Sequence, residues 1–360
     1  MKSGFGYWLG QALRLAVRGQ WRDALRAVGR AFGAKPAVVP APAQAEPVSP
    51  VADLSTAAAP VAQPLVAPPA PRTRNGGKVL AGEFVHSQGS RDYLLFVPSR
   101  WKGQRFPLLL MLHGCTQDPE DFARGTRMNV LAQEQGMLVL YPAQTGSANP
   151  ARCWNWFSRM HQKRIVGEPA LLAALTQSVV ETYGVDPQRV YVAGLSAGAA
   201  MAVVLGQTWP DVYAAVGVHS GLAFGAAGDV MAALSVMRNG PDLAEPAAQI
   251  TPPLPVIVFH GDADSTVHPE NGAQVIAAAL GGTQVPVEVV QGASATGQTY
   301  TRSRYASGAN GFSAEHWLLH GAGHAWAGGS AEGSFTDPAG PDASREMLRF
   351  FLQHPKPLPQ

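Results

Sequence analysis

The stretch that most constrains this chain is Tyr191-Val192-Ala193-Gly194-Leu195-Ser196-Ala197-Gly198-Ala199-Ala200, an apolar run that ends in GxSxG and passes into an alanine-rich helical pattern. It reads as a strand, a sharp turn and a helix. Glycines two before and two after Ser196 leave room for strand and helix to pack closely. The turn holds the serine at a strained apex with its hydroxyl over the sheet edge. Ser196 is the candidate nucleophile. The competing reading is a Gly/Ser-rich turn without chemistry; the buried-strand pattern of Arg189-Val190-Tyr191-Val192-Ala193 immediately before it favours the nucleophile, because context confirms a motif.

The chain around this turn repeats one rhythm. Short, continuous apolar runs at 107–112, 137–142, 190–193, 214–219 and 256–260 have the composition of strands buried on both faces. Helical patterns at 118–135 and 169–183, after Ser196 and at 344–352 separate or close them, with a weaker strand at 314–319 and an antiparallel pair at 84–86 and 93–98 in front. Alternating strands and helices predict an α/β fold with a mostly parallel, doubly wound sheet, which binds ligands beyond the carboxyl ends of its strands.

The 360 residues divide unevenly. Over 1–33, Leu13, Val17, Trp21, Leu25, Val28 and Phe32 fall on one helical stripe, while Arg14, Arg18, Arg22, Arg26 and Arg30 sweep around the neighbouring face. This basic amphipathic helix suits an apolar surface beneath an anionic layer, or docking on its own domain or a second subunit. Arg14 and Arg18 interrupt the early apolar stretch and no small-residue cleavage site follows closely, so a cytoplasmic rather than secreted protein is expected. Residues 34–72 form a Pro/Ala-rich linker, expected to be disordered and extended, and 73–355 the catalytic domain. A net charge of +2 gives no case for a nucleic-acid partner, and no run approaches the roughly 20 apolar residues of a transmembrane segment.

A serine hydroxyl needs a base, and the base needs an acid. The strand at 256–260 runs into Gly261-Asp262-Ala263-Asp264, where Asp264 is the preferred acid and Asp262 the fallback. Downstream, His324 lies in a glycine-rich loop after the last strand and is the preferred base, with His320 as competitor and His316 read as structural. The oxyanion hole is assigned to the amides of Ala197, next to the nucleophile, and Cys115 in His113-Gly114-Cys115-Thr116, with Thr116 the alternative donor. Cys115 and Cys153 permit one disulfide or two free thiols, and reduced thiols are the state expected in a cytosolic protein. No metal or cofactor is implied.

Taken together, Leu112-His113-Gly114-Cys115-Thr116-Gln117, Cys153-Trp154-Asn155-Trp156-Phe157, Gly167-Glu168-Pro169, the GxSxG turn, the 260–267 loop and Gly323-His324-Ala325-Trp326 resemble the poly(3-hydroxybutyrate) depolymerase family of esterases over about residues 82–352. The resemblance implies an α/β-hydrolase fold, a triad of Ser196, Asp264 and His324, and an oxyanion motif at His113-Gly114-Cys115. It also implies ester cleavage in short-chain poly(3-hydroxyalkanoate) or its oligomers, with feruloyl and acetylxylan esterases in the same family. The chain looks more like the intracellular members that act on stored polyester granules, and 1–33 then becomes a granule contact. A non-catalytic granule-surface protein on the same fold is the alternative from another class. His113, Trp154, Trp156 and Trp326 are expected to line the substrate cleft.

Overall fold

The computed structural model describes residues 76–242, 254–306 and 313–357. The amphipathic helix expected at 1–33, the linker at 34–72 and the first residues of the catalytic domain lie outside the described residues.

Two antiparallel strands, β1 (Lys78–His86) and β2 (Gly89–Val97), come first. There follow β3 (Leu108–Leu112), the helices α1 (Pro119–Thr126) and α2 (Met128–Gln135), β4 (Leu138–Pro142) and α3 (Gly167–Tyr183). Then come β5 (Val190–Leu195), α4 (Ala197–Thr208), β6 (Ala215–His219), α5 (Val230–Asn239), β7 (Val256–Gly261) and α6 (Glu270–Leu280). A hairpin of β8 (Val287–Ala293) and β9 (Thr299–Ala306) leads to β10 (Ser313–Leu319), the short β11 (Trp326–Ala327) and β12 (Thr336–Asp337), and the closing α7 (Ala343–Gln353).

Ten strands form one sheet in the order β1-β2-β4-β3-β5-β6-β7-β10-β9-β8. The six from β4 to β10 in that order run parallel, and antiparallel pairs flank both edges. The expected doubly wound sheet is present. Strands β3 to β7 are buried at every residue, which is why they read as unbroken apolar runs rather than alternating ones. Their side chains nevertheless divide by parity: Val256 and Val258 enter one core layer, Ile257 and Phe259 the other. Helix α4 is apolar almost all round and lies in the first layer, as such a helix must.

Two expectations need correction. The single helix at 118–135 is two, because Arg127 takes a left-handed conformation, φ 54°, between them. The β8–β9 hairpin is absent from the sequence reading. Its residues are half-buried or exposed, so no apolar run marks it.

Candidate active site

The nucleophile turn is built by close approach. Ser196 itself has φ 57° and ψ −120°, a strained conformation for a residue with a side chain. A Cβ on Gly194 would stand 2.4 Å from the backbone of Gly198, and one on Gly198 would stand 2.1 Å from the carbonyl oxygen of Leu112. Only glycine at both positions lets α4 start against the ends of β5 and β3. The Ser196 amide donates to the His219 carbonyl at the end of β6 (2.9 Å), fixing the apex to its neighbouring strand.

The acid and base candidates follow β7 and β10, which pair in parallel. His324 Nδ1 donates to Asp264 Oδ2 at 2.7 Å, and the other Asp264 oxygen accepts the amides of Thr266 and Val267, each at 2.9 Å. Burial works to raise the Asp264 carboxyl, but His324, His260 and the Val267 amide outweigh it and hold the group at about 2. It is therefore anionic at neutral pH and orients the imidazole, whose Nε2 has no hydrogen-bond partner among the described residues. The fallback residues also pair, but with each other: His320 Nδ1 meets Asp262 Oδ2 at 2.9 Å, in solvent. Their alternative roles are not supported, because Thr301 Oγ1 occupies His320 Nε2 (2.9 Å). Among the described residues no hydrogen bond joins Ser196 Oγ to His324 Nε2; such contacts are often long in a free enzyme and close on substrate.

At the end of β3 the amide of Gly114 donates to Gln117 Oε1 (2.9 Å) and that of Thr116 to the Ala151 carbonyl (2.7 Å). Thr116 is thereby removed as an oxyanion donor. The Cys115 and Ala197 amides have no partner among the described residues and remain available. Ala197 also opens α4, so the helix dipole adds partial positive charge there.

Cys115 and Cys153 form a disulfide. This replaces the reduced thiols expected of a cytosolic chain, and the Thr116–Ala151 hydrogen bond joins the same two loops beside it. The bridge is also a wall. A narrow cleft of about 10 Å³ is lined by both cysteines, Trp156, Phe157, Ser196, Ala197, Leu222, Ala233 and Met237. Apart from the serine hydroxyl this lining is apolar.

Of the residues expected to line the cleft, Trp156 does so and three do not. Trp154 and Trp326 are fully buried. The Trp154 indole donates to the His113 carbonyl (3.1 Å), and that of Trp326 to Ser344 Oγ (3.0 Å). His113 is buried beneath the loop, with Nδ1 donating to the Gly114 carbonyl (2.7 Å) and Nε2 accepting the Gln144 amide (3.0 Å). Burial lowers its pKa to about 4 and keeps it neutral. These three side chains hold loops in place, because buried polar tips must find partners and the nearest ones are loop carbonyls and amides.

Sequence reasoning missed two histidines behind the site. His219 closes β6; its Nε2 accepts the Ala327 amide at 3.0 Å and its ring stacks on Phe259 and Trp326, which anchors the segment just beyond His324. Burial pushes it down to about 3. His260 is the next-to-last residue of β7, donates from Nε2 to the Val267 carbonyl (2.9 Å) and lies 3.6 Å from Asp264 Oδ2. Their signal was visible: each is a lone imidazole ending a purely apolar strand beside a candidate loop. Glu168 stands in the Gly167-Glu168-Pro169 motif, to which the sequence assigns no chemistry.

A poly(3-hydroxyalkanoate) depolymerase C from Paucimonas lemoignei is 32% identical over 203 residues, covering 54% of this chain and 49% of that protein. A poly(3-hydroxybutyrate) depolymerase from Ralstonia pickettii is 36% identical over 132 residues, covering 34% and 27%. A probable acetylxylan esterase A from Aspergillus clavatus is 29% identical over 180 residues, covering 46% and 58%. The chain thus spans less than two thirds of the length of each of these relatives. Among solved structures, an acetyl xylan esterase from Aspergillus awamori superposes with a TM-score of 0.57 at 19% identity, covering 73% of this chain and 94% of that one, which shows the shared α/β-hydrolase fold. The family model for esterase PHB depolymerase matches residues 91–301, more than half of the chain, and the chain belongs to that family.

Proposed function

We propose that the chain is a serine ester hydrolase that cleaves short-chain poly(3-hydroxyalkanoate), chiefly poly(3-hydroxybutyrate) or its oligomers, through an acyl-enzyme. The observation that carries this reading is Ser196 lining an apolar cleft, at the same sheet end as a buried histidine–aspartate pair. Ser196 Oγ attacks the ester carbonyl while His324 Nε2 takes its proton and Asp264 stabilises the imidazolium. The amides of Cys115 and Ala197 hold the oxyanion. His324 then gives the proton to the departing alkoxide oxygen, and water, deprotonated by the same imidazole, releases the acid and restores the serine. Trp156, Phe157, Leu222 and the disulfide suit a short aliphatic acyl group, which presents mostly methylene and methyl surface.

A second reading, an acetylxylan or feruloyl esterase, is favoured by the acetylxylan esterases among the relatives. The test measures 3-hydroxybutyrate released from amorphous polymer granules against acetate or ferulate released from decorated xylan, with wild type and Ser196→Ala. The expected result is 3-hydroxybutyrate from wild type and a loss of about four to six orders of magnitude in Ser196→Ala. Preferential release from xylan moves the assignment to the second reading, full activity of Ser196→Ala removes Ser196 as the nucleophile, and no release of any acid by the wild type leaves a non-catalytic granule protein.

Granule attachment through 1–33 belongs to the same proposal, and its basis is the basic amphipathic pattern. Among the described residues no helix is long and apolar enough to cross a membrane.

A further inference from the structure

Glu168 is a carboxylate that the proposed reaction does not use, buried to 2% exposure in the first turn of α3. Its oxygens are surrounded by donors. Oε1 accepts from Gln144 Nε2 (2.5 Å) and Asn155 Nδ2 (2.8 Å) and lies 3.5 Å from the Arg91 guanidinium, while Oε2 accepts the Asn155 amide (2.7 Å).

Two routes lead from this carboxylate to the Cys115 amide. Along the first, the backbone amide of Gln144 donates to His113 Nε2 (3.0 Å), and His113 heads the loop that carries Cys115. Along the second, Gln144 Nε2 also donates to the Cys153 carbonyl (3.0 Å), and Cys153 is bonded to Cys115 through sulfur. The indole of Trp154 closes the circuit on the His113 carbonyl.

We propose that Glu168 is a positioning residue for the oxyanion hole, holding the Cys115 amide in place through Gln144, His113 and the disulfide loop. This rests on the reading of Ser196 as an ester-cleaving nucleophile with Cys115 as an oxyanion donor. The site demands a carboxylate. The Gln144 amide cannot reverse, because its Oε1 accepts the Thr145 amide (3.0 Å), and Asn155 cannot, because its Oδ1 accepts Asn149 Nδ2 (3.0 Å). Both side chains therefore present N–H groups to Glu168. An ionised carboxylate is acceptor-only and satisfies all of them, whereas a glutamine, in either orientation, sets an NH₂ against a donor. A donor left unpaired in a buried network moves its neighbours. Because the oxyanion hole acts on charge that develops during reaction, the displacement reads out in turnover rather than in substrate binding.

The test uses the full chain on soluble p-nitrophenyl butyrate, comparing wild type, Ser196→Ala, Glu168→Gln, Gln144→Met and the Glu168→Gln/Gln144→Met double variant, with circular dichroism melts of each. Glu168→Gln is expected to lower kcat about ten- to a hundredfold, less than the loss of a whole donor, with KM held within about twofold. Gln144→Met is expected to act in the same direction, and the double variant to lose little more than the worse single one, because the two residues form one path. Unchanged kcat in Glu168→Gln, a rise in KM alone, or additive losses in the double variant overturns the proposal. If Glu168→Gln does not fold, Gln144→Met decides: a fall in kcat at constant KM supports the proposal, and unchanged kcat overturns it. If Ser196→Ala keeps wild-type kcat, the functional reading itself fails and takes the proposal with it. If Ser196→Ala is inactive while Glu168→Gln turns over normally, only the positioning role fails.

Discussion

Two aspartate–histidine pairs stand at the ends of the same two strands, β7 and β10, and they differ in everything but their chemistry. Asp264 and His324 meet at 2.7 Å with side chains 0% and 7% exposed; Asp262 and His320 meet at 2.9 Å with both 38% exposed. In the buried pair the second carboxylate oxygen is saturated by two amides, His260 backs the acid, and His324 Nε2 is left without a partner among the described residues. In the exposed pair Thr301 takes the second imidazole nitrogen, and Asp262 spends its other oxygen on the Gly321 amide (2.7 Å). A general base requires a free nitrogen facing the nucleophile and an acid that stays ionised behind it. Among the described residues, the inner pair keeps its second imidazole nitrogen unpartnered and the outer pair does not. The outer pair ties down the base of the loop on which His324 rides.

The sharpest way to break this comparison is to remove each acid in turn. Asp264→Asn is expected to lower kcat by about 10⁴-fold, the scale seen when a triad imidazole loses its orienting carboxylate. Asp262→Asn is expected to lower it less than about fivefold, since an exposed pair is worth at most about 1 kcal/mol. Steady-state rates on a soluble p-nitrophenyl ester measure both, and comparable losses in the two variants would erase the distinction.

An intermediate effect concerns the buried surroundings of the inner pair. His219 is held neutral by burial, down to about 3, against an ordinary value of 6.5. A histidine of depressed pKa lets the unfolded chain bind a proton that the fold refuses. Its contribution to stability is therefore complete above pH 6.5 and is lost as pH falls toward about 3. His219→Gln is expected to flatten the fall of unfolding free energy with acidity by about 1.4 kcal/mol per pH unit across that window. Urea melts of wild type and variant at a series of pH values check this, and parallel slopes would contradict it.

The smallest effect belongs to the outer histidine. His320→Gln is expected to cost about 0.2–1 kcal/mol of stability, and less in high salt, because the pair is exposed and screened. Thermal melts at low and high ionic strength provide the measurement.

Much of the fold was legible because burial on both faces writes itself into sequence. Strands β3 to β7 are apolar at nearly every position, and each was located from that alone. The β8–β9 hairpin carries no such mark, since half-buried edge strands mix Val289 and Tyr300 with Glu288, Arg302 and Arg304. At the site, glycine spacing located the Ser196 turn, the glycine-rich loop after the last strand favoured His324, and the family resemblance implied Asp264. The tryptophans were harder. Trp154 and Trp326 sit in motifs beside the cleft, yet their indoles turn inward to a carbonyl and a hydroxyl, whereas Trp156 faces the cavity. A residue's position along a loop does not say which way its side chain points.

The sequence by itself determined the parallel sheet, the nucleophile turn and the set of residues from which acid and base had to come. Those depend on local pattern: hydrophobic runs, glycines at fixed offsets and the chain order of loops. Only the tertiary structure decided which aspartate meets which histidine, that Thr116 is spent on Ala151 while the Cys115 amide remains available, that the two cysteines join, and that Glu168 gathers the loops beneath them. Each of these depends on contacts between segments distant in the chain, where the burial of a polar group, and the partner it then requires, is set by packing from several elements at once.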